Sequence, residues 1–251
     1  MATESLMAGQ VAVVTGAGGG IGSGISRRLA AAGARVVLTY RESKSKTEAV
    51  AQSLDGEDHL CVQASVDNSE ALKYLAEQIA EHYGTVDLLV NNAGITRPVS
   101  HDDLEGLDDD LIDSIFRTNW RGAFASIRAL KNLLSNNNGG VVVNISSIAG
   151  VTGIGSNVVY CASKAAMNSM TLSLGRALAP KIRVVSVSPG WVMGEYAKRA
   201  DPAYLQEQID KTPLNRLATV EDVAETVLAV ATMMPFTTGC IIPVDGGRPF
   251  I

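Results

Sequence analysis

Hydrophobic positions along this chain follow two alternating rhythms. Short β-branched runs at 11–15, 35–39, 60–63, 86–90, 141–145, 183–187 and 241–244 are apolar with little interruption, the pattern of strands buried on both faces. Between them, 21–32, 43–54, 69–83, 107–134, 158–179 and 220–233 carry apolar residues at helical spacing, and Gly33, Gly84 and Gly139 stand where helices would stop. Strand and helix alternate from end to end. This order predicts an α/β fold, a doubly wound parallel sheet of about seven strands with helices on both faces. No linker, repeat or low-complexity stretch interrupts it, and the polar segment 136–140 is only long enough for a turn, so residues 1–251 read as a single domain. One region breaks the rhythm. The connection 189–219 contains Trp191, Met193, Tyr196 and Tyr204 and far exceeds the ~2 to 6 residues usual for α/β loops. Long loops at the carboxyl end of a parallel sheet tend to close over ligands, and 189–219 is expected to be a substrate-binding lid.

Composition narrows the class. Of 251 residues, 46% are hydrophobic and 19% charged, which excludes a disordered chain. With 21 basic against 26 acidic residues and no long Lys/Arg run, nucleic acid is not an expected partner. Cys61, Cys161 and Cys240 are far apart, without CxxC spacing or a His/Cys cluster, pointing to a reducing compartment and no metal site. The first nine residues include Glu4 and lack a basic start, and no segment approaches the ~18 to 20 apolar residues of a membrane span. A soluble, cytoplasmic protein is expected.

Two stretches carry chemistry. Thr15-Gly16-Ala17-Gly18-Gly19-Gly20-Ile21-Gly22 lies between the first strand and the first helix. Glycines there let the backbone turn sharply and approach a pyrophosphate, whose charge rests on the N–H groups of the helix start. The spacing of Gly16, Gly20 and Gly22 is wider than GxGxxG, and it is the strand-to-helix position that gives the motif its weight. The second strand ends at Tyr40-Arg41, with no carboxylate at Thr39, Tyr40 or Arg41. An acidic residue near this point grips the ribose 2′-OH of NAD, whereas a basic one accommodates a 2′-phosphate, so NADP(H) is favoured over NAD(H). Further on, the strand 141–145 runs into Ser146-Ser147, and Tyr160 and Lys164 follow at a spacing of four, on one helix face. An ammonium near a phenol favours the phenolate and makes Tyr160 a usable proton donor and acceptor.

Other groups stand at the same end of the predicted sheet or on a helix. Asn91-Asn92-Ala93-Gly94 follows the fourth strand, Asn119 interrupts the apolar pattern of 107–134, and Pro189-Gly190 follows the sixth strand. With the glycine loop and the Ser147, Tyr160, Lys164 spacing, the chain resembles the single-domain short-chain dehydrogenase/reductase family over essentially its whole length. Within that family, 91–97, 213–224 and 238–247 are similar to 3-oxoacyl-[acyl-carrier-protein] reductases, and to many sugar, polyol and aromatic ketone reductases.

The resemblance implies a Rossmann fold and an NADPH-dependent reduction of a carbonyl, a 3-oxoacyl thioester or a small ketone. Tyr160 would be the general acid, Ser147 would hydrogen-bond the substrate oxygen, Lys164 would hold the nicotinamide ribose and tune Tyr160, and Asn119 would prop a water in a proton relay. Gly16, Gly20, Ile21 and Gly22 would line the pyrophosphate. Arg41 would meet the 2′-phosphate, Ser65 and Val66 the adenine, Asn92, Ala93 and Gly94 the adenosine ribose, and Pro189, Gly190 and Val192 the nicotinamide; Gly18 and Tyr40 complete the implied cofactor set. Helices 107–134 and 158–179, with segment 238–251, would build a homotetramer. An acyl carrier protein would need a basic docking patch, to which Arg128, Lys131, Arg176 and Lys181 could contribute, while 136–138 offers asparagine where positive charge would help.

The chain departs from the family pattern at three positions. Gly19 stands where NADP-preferring members often carry a basic residue, Ser65 where Asp is usual, and Gly194 where Thr commonly bonds the nicotinamide carboxamide. An NAD-dependent sugar, polyol or alcohol dehydrogenase, an isomerase or dehydratase using the same Tyr and Lys, and a dinucleotide-sensing protein without turnover are the alternatives.

Overall fold

The computed structural model describes residues 6–136, 139–194 and 201–248. Seven strands, β1 (Val11–Val14), β2 (Arg35–Tyr40), β3 (Leu60–Gln63), β4 (Leu88–Asn91), β5 (Gly140–Ile145), β6 (Ile182–Pro189) and β9 (Cys240–Val244), form one parallel sheet. Their order across it is β3-β2-β1-β4-β5-β6-β9. The helices α1 (Gly20–Ala31), α2 (Lys44–Gln52), α3 (Ser69–His82), α4 (Asp109–Phe116), α5 (Gly122–Leu134), α6 (Ala149–Thr152), α7 (Val158–Ala177), α8 (Pro202–Asp210) and α9 (Val220–Thr232) cross between them.

Period-two alternation divides the core. Ala12 and Val14 pack with Ile25, Leu29, Val223 and Val227 on the α1 and α9 side, while Val11 and Val13 pack with Leu75, Ile79, Leu130 and Met167 on the α3, α5 and α7 side. All four β1 residues are wholly buried, which is why its sequence reads as an unbroken apolar run. The chain runs outward from β1 to β3, then returns to β4 on the other side of β1. The carboxyl ends of β1 and β4 therefore flank the switch in strand order, where doubly wound sheets bind ligands.

Three segments differ from the sequence reading. The apolar stretch 107–134 is not one regular α-helix: Asp108 caps α4 by accepting from Leu111 N (2.8 Å), and a π-helical turn, Arg117–Arg121, separates α4 from α5. The short helix α6 follows Ser147. The connection 189–219 contains α8 and a two-stranded ladder of β7 (Val192–Met193) with β8 (Ala218–Thr219); Tyr196 within it lies outside the described residues, as do Asn137, Asn138 and the end of segment 238–251. Helix α8 starts from Asp201, whose carboxylate accepts from Ala203 N (2.7 Å), with Pro202 in its first turn. Thr219 and Asp222 form a capping box on α9, and Arg216 holds the Asp222 carboxylate with two bonds (2.5 and 2.9 Å), pulling it down to about 2. Among the described residues no helix is long and apolar enough to cross a membrane.

Candidate active site

Thr15, the last residue before the glycine loop, ties the loop to the end of β4. Its hydroxyl donates to Val90 O (3.3 Å) and accepts from Asn92 N and Ala93 N (3.0 Å each). The Asn92 amide donates to the carbonyls of Thr15 and Gly16 (2.9 and 3.1 Å). Around this knot the glycines are sterically required. Gly16 has φ +66°, and a Cβ there would lie 3.1 Å from Ala93 Cα; one on Gly22 would lie 2.5 Å from both Asn92 Nδ2 and Gly16 O; one on Gly18 would lie 2.6 Å from Thr47 Oγ1. Helix α1 opens after Gly19 with no side-chain cap and no acidic residue in its first turn, leaving its N–H groups and positive end to an anion. Gly20 and Ile21 form that opening. The cradle fits the pyrophosphate of a dinucleotide.

At the β2 end, Arg41 is exposed and its Nε lies 3.1 Å from Glu42 Oε1, a carboxylate one residue past the positions that mattered in the sequence. Gln63 holds the Arg41 carbonyl (2.9 Å). Tyr40 is 8% exposed, so its side chain belongs to the core, and its carbonyl accepts from Ala64 N. Ser65 Oγ donates to Asp67 Oδ1 (2.5 Å), so a carboxylate stands beside this serine. Val66 is buried against Gly122 of α5.

The remaining residues converge around the first turns of α7. Asn157 caps this helix, accepting from Tyr160 N (2.6 Å) and donating to Arg97 O (2.7 Å). Lys164 is 4% exposed; its Nζ donates to Ile145 O (2.8 Å) and stands 5.7 Å from the centre of the Tyr160 ring. Among the described residues no carboxylate offsets this burial, and the ammonium is pulled down to about 8. A Cβ on Gly94 would lie 3.3 Å from Asn119 Oδ1 and 3.8 Å from Lys164 Nζ, so the β4 end, the π-helical turn and α7 meet at one place. Asn119 is wholly buried, its side chain accepting from Ile95 N (2.8 Å) and donating to Ile95 O (3.0 Å) and Ser163 Oγ (3.1 Å). Ser147 lies two residues past the carbonyl that holds Lys164, and its Oγ accepts from Ala149 N (3.2 Å). Pro189 O accepts from Ile148 N (3.1 Å), Gly190 N donates to Val244 O (3.0 Å), and Val192 pairs with Ala218, so the β6 exit is pinned on both sides.

Sequence reasoning missed Thr15, Asn157 and Ser163. Asn157 carries a readable signal, an Asn three residues before Tyr160 at a helix start; Thr15 and Ser163 act through contacts distant in sequence. Among the described residues, no three His, Cys, Asp or Glu side chains cluster as metal ligands would. A cavity of about 480 Å³ lies apart from these residues, between the 213–218 segment, α9 and the end of β9.

A glycine cradle at the switch point of a doubly wound sheet, with a buried lysine beside a tyrosine at the same edge, defines a dinucleotide-dependent oxidoreductase. Residues 16–248 match the family model described as Enoyl-(Acyl carrier protein) reductase. The chain is 37% identical over 249 residues to a protein named as ketoacyl reductase 2 of the granaticin polyketide synthase of Streptomyces violaceoruber, covering 98% of each. It is 32% identical over 240 residues to the 3-oxoacyl-[acyl-carrier-protein] reductase FabG of Staphylococcus aureus strain Mu50, covering 94% of this chain and 96% of that one. A solved short-chain dehydrogenase/reductase from Brucella melitensis, named as a glucose/ribitol dehydrogenase, superposes with a TM-score of 0.90 at 29% identity, over 98% of this chain and 99% of that one. The protein belongs to the short-chain dehydrogenase/reductase family and is an NAD(P)-dependent oxidoreductase.

Proposed function

We propose that this protein reduces a ketone, carried on a 3-oxoacyl thioester or in a small molecule, to an alcohol with NADPH as cofactor and Tyr160 as general acid. The observation that carries the reading is Lys164, a buried cation held by Ile145 O beside the Tyr160 ring. NADPH, when bound, supplies the hydride. The Tyr160 hydroxyl gives its proton to the carbonyl oxygen as negative charge develops there, and Ser147 Oγ hydrogen-bonds the same oxygen. The Lys164 ammonium stabilises the charge left on the Tyr160 oxygen, a contribution strengthened by exclusion of water. Asn119 ties the π-helical turn to Ile95 and Ser163 and so fixes the far wall of the site. The cradle of Gly16, Gly18, Gly20, Ile21 and Gly22 takes the pyrophosphate and Arg41 the 2′-phosphate.

In this reading 1–251 is one catalytic domain, 189–219 is its substrate lid, and the protein works in the cytoplasm as a homotetramer, for which light scattering should give four times the 26.3 kDa chain mass; a monomer would refute the assembly. Tyr160→Phe tests the chemistry. The variant should fold and bind NADPH as the parent does while turnover falls at least about a hundredfold, because the hydroxyl matters in the transition state. Turnover within about tenfold of the parent would remove Tyr160 from the proton-donor role. The likeness to the Brucella glucose/ribitol dehydrogenase supports a second reading, a sugar or polyol dehydrogenase. A panel of ketones, 3-oxoacyl thioesters free and carrier-bound, and polyols, assayed with both cofactors, separates the two.

A further inference from the structure

Beneath Lys164 lies a buried polar layer. Asn144 of β5 and Ser186 of β6 are register partners, and both meet Thr171 Oγ1 of α7 (2.9 and 2.8 Å). Thr171 gives its own proton to Met167 O, so it accepts from both neighbours. Two residues past Asn144, Ser146 Oγ donates to the Lys164 carbonyl (3.3 Å). Side chains two apart on a strand share a face, so Ser188 projects with Ser186 toward α7. Asn168 lies four residues after Lys164 and three before Thr171, on the face of α7 that these contacts define.

Asn168 is 5% exposed and Ser188 2%, and among the described residues neither polar atom of the Asn168 amide, nor Ser188 Oγ, has a hydrogen-bond partner. An unpaired buried amide is strongly unfavourable, and one buried water bonded to three polar atoms relieves it. We propose that Asn168 and Ser188 hold a buried water between α7 and β6, through which Asn168 positions the Lys164 turn against the strand end that leads into Pro189. The water site stands on the orphaned atoms alone; the positioning role rests on the proposed function of Lys164 and Pro189. Apolar side chains at both positions would fill the space but leave α7 free to settle closer to the sheet, moving Lys164 relative to the dinucleotide.

The test uses the full chain. Water–protein cross-relaxation in NMR should reveal a long-lived water at the Asn168 side-chain amide, absent from Ser188→Ala. Asn168→Leu and Ser188→Ala should each weaken NADPH binding and raise its KM by about threefold or more, with the KM of the carbonyl substrate unchanged. The double variant should be no weaker than the weaker single one, since both changes remove the same water. Asn168→Ser, which keeps a donor and an acceptor, should recover affinity to within about twofold. No long-lived water at the amide, or single effects that multiply in the double variant, would overturn the water site. Parental NADPH affinity and KM in Ser188→Ala would overturn the positioning role, and that variant decides it should Asn168→Leu fail to fold. If the parent reduced no carbonyl at all, the NMR and binding measurements would still decide the water site, so failure of the catalytic reading is told apart from failure of this one.

Discussion

Gly22→Ala should damage both the fold and the dinucleotide site, although alanine is the better helix former. The third residue of α1 would gain at most ~1 kcal/mol of helix propensity from the change. Against this, the new methyl would sit 2.5 Å from the carbonyl oxygen of Gly16 and 2.5 Å from Asn92 Nδ2, about 1 Å inside ordinary contact. The Gly16 carbonyl is backbone and cannot swing aside without carrying the loop with it. Overpacking of this kind costs ~1–3 kcal/mol. The two Asn92 bonds to Thr15 O and Gly16 O must also lengthen, at ~0.5–1.5 kcal/mol each. Net of propensity, the variant should lose roughly 1–5 kcal/mol in urea unfolding and bind NADPH at least about tenfold more weakly. Gly19→Ala is the control. Its backbone is extended at φ 176° and a Cβ there meets nothing within 4 Å among the described residues, so it should stay within ~0.5 kcal/mol of the parent. If the two variants matched in stability and NADPH affinity, the steric account of the loop would be refuted.

NADPH should bind at least about tenfold more tightly than NADH, ~1.4 kcal/mol from one charge-assisted phosphate contact; Arg41→Asp should erase the preference, and Glu42→Gln should widen it by releasing the exposed guanidinium, most visibly at low salt. Equal affinities in the parent would refute the assignment. Because burial holds the Lys164 proton less tightly in the folded protein than in the unfolded chain, kcat/KM for reduction should fall as pH rises through about 8, and stability should rise with pH from about 8 toward the ordinary lysine range near ~10.4. Lys164→Met should abolish that stability slope, and a rate profile flat to about pH 10 would contradict the role of the ammonium.

The strands and most helices were legible because each buries a face whose period survives in the sequence, as in β1 and α9. Tyr160, Lys164 and the glycine loop were legible because their chemistry is local: four residues on one helix face, or consecutive glycines before a helix. The π-helical turn was not: Asn119 interrupts the apolar pattern there, but Trp120 and Phe124, stacked and four apart, resume ordinary helical spacing, and nothing in the spacing marks an added residue. Helix α8 was hidden by the length of 189–219 and by its weak apolar stripe, although Asp201-Pro202 is a helix-start signature. The pairing of Asn119 with Ile95 and Ser163 joins three separate elements and has no trace in one-dimensional spacing.

The turn Arg117–Arg121 also has an angular meaning. Each α-helical residue advances about 100°, so a turn that closes over five residues where four would ordinarily do shifts the sequence count of every later position by one while leaving its bearing around the axis nearly unchanged. The added residue is absorbed as a local bulge, with α4 laid against α7, α5 against α3 and Asn119 at the joint. Deleting one residue between Phe116 and Gly122 should therefore restore an unbroken α-helix with both packings kept, and lose what the bulge itself holds, the seat of Asn119 against Ile95 and Ser163.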